Sequence, residues 1–214
     1  AGFVFMATVK GVVKKTPLED FRLPRKNGKR AIKLDAKDEL VGTKITDGKQ
    51  HIMLISDAGK AVYFDEKDSR PLGRDTRGVK GIDLSEEQKV ISLMVPSLED
   101  EILTVSENGY GKKSKIADFR KTKRGAKGVI AMQLSERNGK LISAVQVLEE
   151  DEVILITDKG TLVRTKVSEI STFGRNTQGV RVIKLKENEK LNKLALALEL
   201  SLIHISEPTR LVSI

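Results

Sequence analysis

The chain has 214 residues, with 39 Lys and Arg against 30 Asp and Glu, a net charge of +9 and no cysteine. That length suffices for one large or two small domains with a core of their own, and the missing cysteine excludes disulfides and thiolate metal sites. No apolar run approaches the ~20 residues of a membrane-spanning helix, no signal peptide opens the chain, and a start at Ala-Gly-Phe without Met reads as a fragment.

The first predicted element is a strand, a turn and a strand, "FVFMATVKGVVKKT" from Phe3. The same pattern returns as "IMLISDAGKAVYFD" from Ile52, "ILTVSENGYGKKSK" from Ile102 and "VILITDKGTLVRTK" from Val153. The turn glycines Gly11, Gly59, Gly109 and Gly160 are spaced 48, 50 and 51 residues apart. A second set of segments, "GKRAIKL", "GVKGIDL", "GVIAMQL" and "GVRVIKL", opens at Gly28, Gly78, Gly128 and Gly179. Leu34, Leu84, Leu134 and Leu185 keep the same register. Further apolar runs such as "KVISLMV" (89–95) bring the expectation to about four strands per repeat. No long segment carries a sustained helical stripe. The reading is therefore all-β, an array of four four-stranded blades of the propeller or pinwheel kind, at about 1–47, 48–97, 98–148 and 149–200. Residues 201–214, "SLIHISEPTRLVSI", break the pattern and look non-native.

The charge is uneven along this array. Residues 1–47 hold 11 cations and 6 anions and residues 98–147 hold 10 and 6, while the other two repeats are balanced at 8 and 8 and at 9 and 9. Every repeat places cations just before its second glycine, as in "FRLPRKNGKR", "GRDTRGVKG", "KTKRGAKG" and "GRNTQGVRV". Around a repeat axis, that position recurs as a band of Lys and Arg suited to a polyanion. "KTKRGAKG" (121–128) is no phosphate loop of the Walker type, because the glycine spacing is wrong and a strand follows. On its own it reads as a solvated basic turn; within the repeats it reads as a contact to nucleic-acid backbone. The acidic joins "LEDE" and "LEEDE" read as solvated linkers. His51 and His204 lack a second ligand at metal spacing, and Tyr63 and Tyr110 lack a convergent base. With 4% aromatics and no Trp, stacking on single strands is disfavoured and a duplex is the better ligand. The expected contacts are Lys14, Lys15, Arg25, Lys26, Lys29, Arg30, Arg74, Arg77, Lys80, Lys112, Lys113, Lys121, Lys123, Arg124, Lys127, Arg164, Lys166, Arg175 and Arg181.

The phrases "FVFMATVKGVVKKT", "NGYGKKSKIADF", "RGAKGVIAM", "ERNGKLISAVQV", "ITDKGTLVRTKVSEIS" and "GRNTQGVRVI" closely resemble the C-terminal domain of DNA gyrase A, over about residues 3–198. The resemblance implies a six-bladed β-pinwheel, of which these repeats look like the last four blades. It implies a basic rim that bends and wraps duplex DNA, supporting ATP-dependent negative supercoiling by the DNA gyrase holoenzyme, a type II topoisomerase. "KRGAKG" (123–128) resembles a degenerate copy of that family's first-blade box, Q-[RK]-R-G-G-[RK]-G. The resemblance also implies no catalysis by this segment alone and no cofactor in it, with ATP and Mg2+ used on other domains. The partners it implies are duplex DNA, the rest of gyrase A, and gyrase B in a heterotetramer, in the bacterial cytoplasm at the nucleoid. Alternatives are the related topoisomerase IV domain and a protein-binding propeller of the Kelch kind. A propeller enzyme would need acids or His clustered at one end of several blades, and no such cluster stands out in the sequence.

Overall fold

A computed structural model describes residues 2–23 and 25–197 of the chain. It is all-β. Repeat one gives β1 (Phe3–Thr8), β2 (Val12–Pro17) and β3 (Leu40–Thr46). Repeat two gives β4 (His51–Ser56), β5 (Lys60–Asp65), β6 (Val79–Lys80) and β7 (Val90–Met94). Repeat three gives β8 (Glu101–Ser106), β9 (Tyr110–Lys115), β10 (Val129–Ile130) and β11 (Leu141–Val147). Repeat four gives β12 (Glu152–Thr157), β13 (Leu162–Lys166), β14 (Val180–Arg181) and β15 (Leu191–Leu196).

Each hairpin turn begins on a Ser or Thr three residues before its glycine. The glycine amide donates back to the carbonyl of Thr8, Ser56, Ser106 or Thr157 at 3.0–3.1 Å. In three of the four turns that hydroxyl also accepts from the amide four residues on, Val12, Lys60 or Thr161. The recurrent S/T-x-x-G pattern is thus a local turn closed by its own side chain.

The sheets are assembled from neighbouring repeats. Their strand orders are β3-β1-β2-β6, β7-β4-β5-β10, β11-β8-β9-β14 and β15-β12-β13. The fourth strand of each of the first three sheets comes from the following repeat, so a repeat is not one blade. Strand β6 pairs Val79 with Val13, β10 pairs Val129 with Ala61, and β14 pairs Val180 with Gly111. The donated strands are two residues long, because the chain then turns to cross the hairpin end. There the amides of Gly81, Ala131 and Val182 bond the carbonyls of Gly11, Gly59 and Gly109 at 2.7–2.8 Å. "GKRAIKL" (28–34), expected as a strand, forms none. It is the equivalent donor segment, and it pairs with no hairpin strand among the described residues. Conversely, β13 has no donated strand among the described residues, and Leu162 on it is 60% exposed.

Three apolar clusters lie between successive sheets. Phe5, Val13, Leu54 and Phe64 join the first two sheets. Met53, Tyr63, Ile102 and Leu141 belong to the cluster between the second and third. Leu103, Val105, Leu155 and Leu194 join the third and fourth. No apolar cluster of the described residues joins the fourth sheet back to the first. Strands β3, β7, β11 and β15 touch in succession and form the inner edge. The donated strands β6, β10 and β14 sit at the opposite, outer edge, where 71–78, 121–128 and 172–179 lead into them.

Candidate nucleic-acid interface

The outer edge is where the basic loops meet the sheets. Each of the three loops is tied to the hairpin strand beneath it. The amide of Leu72 bonds the carbonyl of Lys15, that of Thr122 the carbonyl of Tyr63, and that of Phe173 the carbonyl of Lys113, at 2.7–2.9 Å. Arg74, Arg124 and Arg175 stand four residues before the second glycine in their repeats. Each is half-buried, and each donates Nη1 to a main-chain carbonyl of the preceding repeat's donor segment, at Arg30, Lys80 and Ile130 respectively. They latch one repeat to the next. A guanidinium has five donors, so the latch leaves most of the fork available.

The structure corrects four expected contacts. Lys14 and Lys112 are 0% exposed, and Lys15 and Lys113 are buried too. They lie on β2 and β9, whose two faces are both covered, so strand alternation places none of them in solvent. Lys14 Nζ donates to the carbonyls of Ala31, Arg74 and Thr76. Lys112 Nζ donates to those of Gly174 and Arg175. Lys15 Nζ donates to the Glu66 carbonyl at 2.8 Å and sits 5.0 Å from the Phe3 ring centroid. Lys113 Nζ pairs with Glu149 at 2.6 Å and Glu101 at 3.4 Å. None of the four can reach a phosphate without leaving these partners.

The remaining expected residues divide by partner. Arg30 pairs with Asp75, Arg77 with Asp35, Lys80 with Asp83 and Arg164 with Glu152, all at the exposed surface where such pairs are weak. The half-buried Lys29 donates to main-chain carbonyls of Asp20 and Arg22. Arg181 donates Nη2 to the Tyr110 hydroxyl at 3.1 Å. Arg25, Lys26, Lys121, Lys123, Lys127 and Lys166 are exposed with no ion pair among the described residues. Sequence reasoning missed Arg70 and Arg120. Both are exposed, both follow a short 3-10 turn, and both stand eight residues before the second glycine. Counting back from that glycine would have found them.

The opposite, turn end of the sheets has another character. An open groove of about 440 Å3 there is lined by Asp57, Glu86, Glu87, Gln88, Leu134, Ser135 and Lys140. Its carboxylates disfavour phosphate. His51 stacks obliquely on Tyr63 at 5.3 Å within β4 and β5. His204 and the tail 201–214 lie outside the described residues. No cluster of three metal-ligating side chains occurs among the described residues, and none of their helices is long and apolar enough to cross a membrane.

The Lys112 ammonium is held down from the ordinary lysine value to about 8, first by burial and then by the nearby Arg175 charge, with Asp118 opposing. Between pH 8 and the usual lysine pKa, the unfolded chain therefore binds a proton there that the folded chain has lost. Stability from this group rises with pH across that window. The Lys112→Met variant is expected to show a flatter rise of unfolding free energy from pH 8 to 10 than the parent, measured by urea titration. An identical rise in both would place the titration elsewhere.

A family profile described as DNA gyrase C-terminal domain, beta-propeller, matches residues 2–47, 50–97, 100–147 and 151–197. The chain belongs to the DNA gyrase A C-terminal domain family. It is 51% identical over 189 residues to the DNA gyrase A protein of Pseudomonas aeruginosa and 50% over 188 to that of Escherichia coli K12. Those alignments cover 88% of this chain but only 20% and 22% of the relatives, so the chain spans about a fifth of their length. A solved gyrase A C-terminal domain matches with a TM-score of 0.80 at 28% identity, over 91% of this chain and 65% of that one. A solved topoisomerase IV C-terminal domain matches at 0.85 and 27%, over 96% and 67%. The fold read from the gyrase-like phrases is thereby established, as an all-β gyrase A C-terminal domain.

Proposed function

We propose that this gyrase-family domain holds duplex DNA by its backbone along the outer edge and bends or wraps it. It would act without catalysis or cofactor of its own, in service of supercoiling by a larger enzyme. The observation that carries the reading is the set of outer-loop cations that are exposed and without an ion pair among the described residues, above all Lys121, Lys123 and Lys127, beside the arginines Arg74, Arg124 and Arg175 that recur at one position of the three loops. Such cations neutralise phosphates and release counterions without reading sequence. Bending 20–30 bp by 40–90° costs roughly 1–6 kcal/mol, which many weak contacts on a preformed curve can offset. The wider assembly belongs to the same proposal: the rest of gyrase A, and gyrase B, with ATP and Mg2+ on those other parts, in the bacterial cytoplasm at the nucleoid. The backbone likeness to a topoisomerase IV C-terminal domain favours a second reading, a related domain that binds DNA in support of decatenation, for which the edge need only hold the duplex.

Ligation of nicked circular DNA in the presence of the chain separates these. A dose-dependent shift in linking number supports handed wrapping. Binding in gel retardation without a shift supports the second reading. Neither binding nor shift at moderate salt removes the DNA track and favours a protein-binding role.

A further inference from the structure

Lys14 and Lys112 occupy the same place in repeats one and three, three residues past the turn glycine. The equivalent residue in repeat two is Val62. Both lysines are fully buried, yet neither forms an ion pair within salt-bridge distance among the described residues. Each ammonium instead gathers main-chain carbonyls of the loop above it. Lys14 takes Arg74 and Thr76, with Ala31 as a third, and Lys112 takes Gly174 and Arg175. An ammonium has three donors and no acceptor, and buried carbonyls need donors. With their carbonyls turned inward onto the cation, these loops hold their other groups outward. In repeat two, where Val62 offers no donor, loop 121–128 is held from outside, by Arg124 Nε on the Asp68 carbonyl and Nη1 on that of Lys80.

We infer that Lys14 and Lys112 are positioning residues, buried cations that fix the main chain of Arg74 and Arg175 so that these arginines meet DNA in one orientation. This rests on the reading of the outer edge as a DNA track. The lysines themselves touch no phosphate. A charged group is used rather than an apolar one because several carbonyl oxygens converge on one point, where an apolar side chain would leave those of Ala31, Arg74 and Arg175 without a donor among the described residues.

The test compares the parent chain with Lys112→Met, Arg175→Ala and the double variant, binding a linear duplex across a salt series. If Lys112 acts through Arg175, each single change weakens binding by a similar factor and the double change weakens it no further. The slope of log affinity against log salt falls by about 0.9, one phosphate contact, in all three. Simple loss of folded protein would lower the bound fraction without changing that slope. Amide hydrogen exchange in 172–178 is expected to rise in Lys112→Met, with the distant strands β4 and β5 unchanged. Multiplying single effects, or unchanged exchange in the loop, overturns the inference. A parent chain that does not bind DNA overturns the DNA reading instead, and loop exchange then still reports whether Lys112 holds the loop.

Discussion

Changing Lys121, Lys123 and Lys127 together to Ala is expected to weaken binding to a linear duplex on the order of 10–100-fold near 0.1 M salt. It is expected to flatten the salt dependence by up to about 2.7 in log–log slope, three contacts at about 0.9 each. These three lysines are exposed and without ion pairs among the described residues, so their removal costs the fold little. Arg124 is left in place because it latches the loop to Lys80 and Asp68, and its loss would confound charge with structure. Fluorescence anisotropy at four or five salt concentrations suffices. A lower affinity with the parent's slope would mean that the lysines act on the track from a distance. An unchanged affinity and slope would take this loop off the track.

The second large effect concerns how the repeats interlock. Gly59→Ala and Gly128→Ala are each expected to destabilise the chain by about 3 kcal/mol or more, lowering Tm by roughly 6–12 °C. Gly59 has φ +72°, and a Cβ there would lie 2.4 Å from the Met132 carbonyl oxygen, where the next repeat crosses the turn. Gly128 has φ +84°, with the Ala61 carbonyl oxygen at 2.5 Å. The left-handed backbone alone costs a side chain about 1–2 kcal/mol, and a main-chain oxygen cannot rotate away. The control is Gly160→Ala. Its φ is +80°, but nothing lies within 4 Å of the added carbon, so only the backbone part of the cost remains. Equal loss at all three positions in calorimetry would show that crossing repeats contribute nothing to these glycines.

That contrast also marks what a single sequence can and cannot disclose. The turn glycines, the apolar strands around them and the second glycines were legible because each is a local pattern repeated four times, whereas the Ser and Thr that close the turns emerged only from the hydrogen bonds. The family resemblance rode on the same phrases. The exchange of β6, β10 and β14 between repeats was not legible, since a two-residue strand carries no periodicity and its partner lies 66–71 residues away in sequence.

The sequence by itself determined the repeat length, the all-β class, the hairpins and the uneven distribution of charge. All of these follow from composition and spacing over at most a few dozen residues. Only the tertiary structure decided which cations face water. On β2 and β9 the usual alternation of buried and exposed positions fails, because both faces of the strand are covered, one by the neighbouring sheets and one by the loop of the next repeat. Lys14, Lys15, Lys112 and Lys113 are therefore inside, satisfied by carbonyls and carboxylates that come from distant parts of the chain. A lysine's letter is the same whether its ammonium meets a phosphate or a ring of main-chain oxygens. What differs is the set of partners that folding brings within hydrogen-bonding distance, and that set is a property of the assembled sheets.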